Sequence, residues 1–227
     1  MGRFLKNELS GWTAGEVIWT VFACSVIWGL SIYWNDTVWG IISAVTGVLY
    51  TILAGKGKLS AYFFGLVNSV LYALISFDAK LYGETILNGL YYVPMMFVGF
   101  FAWKKNMDTD TFEVKKRRMS VWGRLMLAAT IGISTVAFAL VLKELGDAMP
   151  FVDSFTTVSS VIAMIVSVKR YAEQWWIWLA VNLLSVYMWW CSFSTGAENI
   201  ATLIMWLVYL INGILILLKW EKDLKKV

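Results

Sequence analysis

Amides and aromatic rings set in apolar surroundings are the residues of this 227-residue chain whose type and spacing could do chemistry. Trp175, Trp178 and Asn182 are spaced i, i+3 and i+7, which puts them on one face of a helix. Asn88, Tyr92 and Met95 share a face in the same way, and Asn68 and Trp206 lie in two further apolar stretches. An aromatic face ending in an amide suits a flat, polar heteroaromatic ligand. The ring would stack, more strongly if cationic, and the amide would exchange hydrogen bonds with it. Nothing points to bond-breaking chemistry. The chain has no histidine, no phosphate-binding loop and only two cysteines, so we expect no catalytic residue, no metal and no cofactor.

The elements that must hold these residues are membrane helices. Hydrophobic residues make up 59% of the chain and charged ones 15%, and the mean hydropathy is +0.68. A soluble domain runs at about 45–50% apolar and about 25% charged. Splitting at polar punctuation leaves eight apolar stretches, near 17–34, 39–54, 60–77, 84–103, 121–142, 152–168, 174–193 and 198–218. Spans of about 20 residues then use nearly all the chain, leaving no length for an extramembrane domain. The second stretch is short, and Lys56 and Lys58 are expected to snorkel and extend it. The polar start of the chain argues against a removable signal peptide.

Charge gives an independent count. With the N-terminus cytoplasmic and all eight stretches spanning, sixteen Lys and Arg fall on the inner side and two, Lys80 and Lys143, on the outer side, with Arg124 just within the fifth span. The basic bias thus predicts both termini inside and explains the net charge of +4 without nucleic acid. A second reading stays open for 17–34, whose Trp19, Trp28, Tyr33 and Trp34 would also suit the membrane interface. Cys24 and Cys191 fall at different depths and read as packing residues. The Lys115–Arg118 run reads as an inner anchor, with anionic lipid headgroups as the alternative ligand.

At 1.5 Å per residue, Asn68 and Asn182 lie about 12 Å from the inner side, and Tyr92 and Trp206 about 12 Å from the outer side. Thr46 and Ser160 reach a similar depth, so all six fall in one layer of a core about 30 Å thick. Ionisable residues are confined to span ends, as with Glu84, Glu198 and Asp153. A proton-coupled pump is therefore not expected. Each polar residue also has a plainer reading as glue between helices, and Gly47, Gly65, Gly89 and Gly99 read as points of close packing.

A shift of 114 residues places Asn68 on Asn182, Glu84 on Glu198, Gly99 on Gly213, Lys56 on Arg170 and Tyr92 on Trp206 without a gap. Identities are few, but loops and buried polar positions keep register. The fold expected is an all-α integral membrane protein of two parallel three-helix bundles joined by a linking helix, with an additional N-terminal hydrophobic helix. The segments are 1–38 (N-terminal), 39–103 (first repeat), 104–151 (basic loop and linker), 152–220 (second repeat) and 221–227 (tail). A site should lie on the pseudo-two-fold axis between the repeats.

Several stretches resemble the PnuC family of nicotinamide riboside transporters. These are Thr46-Gly47-Val48-Leu49, the run from Ala54 to Asn68, Tyr82-Gly83-Glu84 with Asn88, Gly99 with Trp103, Lys169-Arg170-Tyr171 with Trp175-Trp176-Ile177-Trp178 and Asn182, and Asn212-Gly213 with Trp220. The resemblance covers roughly 39–220. It implies a fold related to the SWEET sugar transporters and one nicotinamide riboside held centrally. It further implies facilitated diffusion with alternating access across a bacterial inner membrane. The substrate contacts it suggests are Asn68, Trp175, Trp178 and Asn182, then Asn88, Tyr92, Trp206 and Asn212. Another small solute such as a sugar or vitamin, or a membrane scaffold without transport, are the competing readings. Membrane lipid is the expected surrounding, and homo-oligomer formation is left open.

Overall fold

The computed structural model describes residues 7–33, 37–78, 85–146, 149–194 and 200–225. Eight helices fill them: α1 Ala14–Tyr33, α2 Val38–Lys56, α3 Ala61–Asp78, α4, α5 Val121–Glu144, α6 Pro150–Val168, α7 Glu173–Ser194 and α8 Ile200–Leu224. Helix α4 opens as a π-helical stretch, Leu87–Tyr92, and continues as the α-helix Val93–Lys104. Each apolar stretch of the sequence is thus helical, and no strand occurs among the described residues beyond two isolated bridges. Among those residues α2, α5 and α6 are long and apolar enough to cross a membrane, and the apolar parts of α1 and α3, Ala14–Leu30 and Ala61–Ile75, are shorter. Arg3, Lys6, Lys80, Tyr82, Gly83, Glu84 and Glu198 lie outside the described residues.

The chain divides into two compact units, Met1–Lys115 and Lys116–Val227. In the first, α1 packs on α2, α2 on α3 and α3 on α4; in the second, α5 packs on α6, α6 on α7 and α7 on α8. Each unit is therefore a row of four helices. Helix α1 stands to α2 as α5 stands to α6.

Helix ends follow local chemistry. Thr37 and Ser120 cap α2 and α5, their hydroxyls accepting from the N–H groups of Gly40 and Gly123, each at 3.1 Å. Helix α2 ends at Gly57, φ +77°, with Gly57 N–H donating to Ala54 O and Lys58 N–H to Leu53 O. The end of α6 repeats this pattern three residues on from Ser167. Arg170, at φ +65°, donates its N–H to Ser167 O, and Tyr171 donates to Val166 O. An arginine thus occupies a left-handed position that glycine takes in the first unit. Burial lowers the Arg170 pKa, and the like charge of Arg117 adds to the effect.

Lys56 and Lys58 depart from the sequence expectation. Neither snorkels: both are buried, Lys58 completely. Lys56 Nζ lies 2.6 Å from both Glu16 Oε2 and Gly11 O, and over the Trp12 ring. Lys58 Nζ reaches Asn7 O and Phe112 O, each at 3.1 Å, with Thr111 O and Ser10 Oγ a little farther. Glu8 completes the group by accepting from the N–H and hydroxyl of Ser60. An ammonium with three donors can leave water only where oxygens replace it. Here residues 7–16 and the 111–112 turn supply them.

The connection from Lys104 to Ser120 is ordered by its own bonds. Asp108 Oδ1 accepts from the N–H groups of Thr111 and Asp110, each at 3.0 Å, and these hold its pKa below the usual carboxylate range. Gly57 O accepts from Val114 N–H in the first unit, and Arg170 O from Arg117 N–H in the second.

Candidate functional site

In the first unit the candidate residues sit on α3 and α4. Asn68 directs its amino group at Ser43 of α2, 2.7 Å from the carbonyl oxygen and 3.3 Å from Oγ. A carbonyl oxygen only accepts, so the atom facing it must be Nδ2, and Oδ1 is turned away. No hydrogen bond to Asn68 Oδ1 occurs among the described residues.

Asn88 and Tyr92 fall in the π-helical stretch, where Asn88 is buried and the Tyr92 ring is 5.3 Å from that of Tyr91. The sequence reading missed this widening. Its cause is Pro94, which lacks an N–H and whose ring would press on the carbonyl of residue 90 in a regular helix. Instead Val93 N–H donates to Asn88 O, five residues back. The wider turn contains the two residues singled out as candidates. Farther along, Gly99 lets Tyr62 lie against α4, since a Cβ there would sit 2.2 Å from the ring. Tyr62 then meets Trp103 edge to face, centroids 5.1 Å apart.

In the second unit the shared face of α7 divides. Trp175 is buried against Trp220 near the end of α8, centroids 5.7 Å apart, and its Nε1–H has no partner among the described residues. Trp178 packs instead on the cluster of Ala163, Val166 and Ile177. Asn182 is buried and donates its amino group to Tyr209 O of α8 at 3.1 Å. As with Asn68, the partner is a carbonyl, so Oδ1 is the free end; no hydrogen bond to it occurs among the described residues. Gly213 lies beside that amide, where a Cβ would come into ordinary contact, 3.4 Å from Nδ2. Asn212 beside it is buried, and Trp206 stacks edge-on with Tyr209 at 5.8 Å.

The structure therefore brings Asn182, Trp206 and Asn212 to the α7–α8 pairing through Tyr209 and Gly213, while Trp175 belongs to the packed helix ends. Tyr209 was not singled out from sequence, because its backbone oxygen does the work and backbone has no sequence signature. The two asparagines differ in partner. Asn68 ties α3 to α2, and Asn182 ties α7 to α8.

A family model described as nicotinamide mononucleotide transporter matches residues 37–222. A nicotinamide riboside transporter PnuC of Neisseria mucosa is 37% identical over 97% of this chain and 86% of its own length. The chain belongs to the PnuC family. Another relative of that name, from Haemophilus influenzae, is 32% identical over 98% of this chain and 96% of its own. A solved structure described as the vitamin B3 transporter PnuC superposes with a TM-score of 0.84 at 36% identity, covering 99% of this chain and 98% of that one. Family membership and the apolar helices make this a multi-pass membrane protein and a transporter rather than an enzyme.

Proposed function

We propose that this PnuC family member carries nicotinamide riboside across a bacterial inner membrane by facilitated diffusion. The observation that carries the reading is near-full-length identity of 37% to a relative named for that substrate. The family description names the mononucleotide and the relatives the riboside, which differ by one phosphate. Phosphate recognition in a membrane interior calls for Arg or Lys. None occurs in 59–79, 85–103, 125–142, 150–168 or 171–218. The riboside is favoured on that ground.

In the proposed site the free Oδ1 atoms of Asn68 and Asn182 accept from the carboxamide or ribose hydroxyls, with their amino groups already held. Trp178, Tyr92 and Trp206 offer faces for the cationic ring. Asn88 and Asn212 provide further amides, and Trp175 bounds the aromatic face at its packed end. The arrangement proposed is the 3+1+3 one, related to the SWEET transporters, with both termini cytoplasmic and alternating access between repeats. Uptake of labelled nicotinamide riboside into proteoliposomes without an ion gradient tests this. Saturable uptake that excess unlabelled mononucleotide leaves unchanged is expected; uptake only under a proton or sodium gradient, or equal carriage of both compounds, would overturn it.

A further inference from the structure

The second unit holds a groove of about 450 Å³ among α5, α6 and α7 that none of the candidate contacts touches. Leu127, Ile131, Phe155 and Ile177 make its apolar walls, and Trp176 stands at its side. Charge enters at one end only, where α5 and α7 begin, through Arg124 and Glu173. From Arg124 to Gly132 the groove runs eight residues along α5, about 12 Å at 1.5 Å per residue.

The charged end is built so that one group is spent and the other is not. Glu173 is buried; its carboxylate accepts from Met119 N–H at 3.1 Å and from Arg124 Nε at 2.9 Å. Arg124 is 44% exposed, and its two terminal nitrogens make no bond to any described residue. The guanidinium is therefore fixed by its Nε edge while its outer edge, the one suited to a bidentate oxyanion, is open. In the basic run just before α5, Lys116 and Arg118 pair with Asp223 and Glu221, which leaves the outer edge of Arg124 as the open cationic group at that end. Along the groove, Gly132 leaves the floor open: a Cβ there meets nothing within 4 Å.

We propose that this groove binds a glycerophospholipid, with the headgroup phosphate on the outer edge of Arg124 and one acyl chain lying along α5 to Gly132. Lone apolar walls would accept any hydrocarbon. A fixed guanidinium at one end of a 12 Å apolar groove selects an amphiphile with an anion at its head. Glu173 holds the guanidinium rather than the lipid, so its role is positioning.

Native mass spectrometry of the purified full-length protein tests this against four ligands. Phosphatidylglycerol and phosphatidylethanolamine carry phosphate and chains, diacylglycerol carries chains only, and glycerol phosphate carries phosphate only. We expect one retained molecule of either phospholipid per chain, with diacylglycerol at least about tenfold weaker and glycerol phosphate not retained. Gly132→Leu should occupy the groove without disturbing packing and lower phospholipid retention by about tenfold or more, the effect of excluding two buried methylenes. Arg124→Gln should remove the preference for phospholipid over diacylglycerol, with Gly132→Leu as the test should that variant not fold. Equal retention of diacylglycerol, or wild-type phospholipid retention in Gly132→Leu, would overturn the assignment. So would a change in the number of chains per particle in Gly132→Leu, since a second copy would then be the occupant.

Discussion

A leucine at position 182 would keep the branched outline of asparagine while removing both halves of its amide. Ligand binding loses the Oδ1 acceptor, and Tyr209 O loses its donor. We expect Asn182→Leu to weaken nicotinamide riboside binding by about tenfold or more by calorimetry, and to cost about 1 kcal/mol of stability for the lost hydrogen bond to Tyr209 O. Wild-type affinity in a folded variant would remove Asn182 from the site. A second residue-scale test compares two turns of one design. Gly57→Ala places a Cβ at φ +77° and 3.3 Å from Val114 N, so it should destabilise by about 1–2 kcal/mol. Arg170→Gly relieves the same left-handed strain and removes a charge that faces Arg117, so it should raise the thermal unfolding midpoint. Residue types were legible in the sequence at this scale, and their partners were not. Asn68 and Asn182 match at an offset of 114, yet they stand seven and nine residues on from their helix starts, and one bonds to Ser43 and the other to Tyr209.

Helix α4 shows what a single proline does to an element. Its span was clear from apolar length, but the π-helical stretch follows from where Pro94 falls relative to the carbonyl of residue 90. Pro94→Ala restores the missing N–H and removes the pressure on that carbonyl. We expect the helix to regularise and to turn Asn88 and Tyr92 by about 100° per residue of lost bulge. Transport should fall while expression and thermal stability hold; unchanged transport would mean the widened turn is not used. The 104–120 connection carries a pH response of known sign. Asp108 has a depressed pKa in the folded chain, so its contribution is present above the ordinary carboxylate range and is lost as pH falls through the folded value. Protection of the Asp110 and Thr111 amides from exchange, taken relative to the free-peptide rate at each pH, should fall over that acidic window and stay constant in neutral solution.

Over the whole molecule, hydropathy read all eight helices, because a long apolar run leaves a clear mark in a sequence. The repeat was read at a uniform offset of 114, whereas the helix starts Val38 and Pro150, and Ala61 and Glu173, are each 112 apart. The loops between these helices, 57–60 and 169–172, are equal in length, so the helix boundaries keep one offset, two residues short of the one read from the side chains. The N-terminal helix read as an addition and the linking helix read as a tie each pack on the next helix of their own unit, α1 on α2 and α5 on α6. The orientation proposed here makes a topological prediction. In a variant lacking Cys24 and Cys191, a cysteine at Ser10 or at Thr109 should react with a membrane-impermeant reagent only after the inner face is opened. Labelling of Ser10→Cys from outside would reverse the assignment.

Lys58 also has a place in the order of synthesis. Its ammonium is enclosed by residues 7–10 and by Thr111 and Phe112, so it must keep its water until the ribosome has passed position 112. Every one of those oxygens has been made by Lys115, where the first unit ends. The nascent chain can thus close its first four helices before the second four exist, and a polypeptide stopped at residue 115 should already protect Lys58 from amine-reactive labelling.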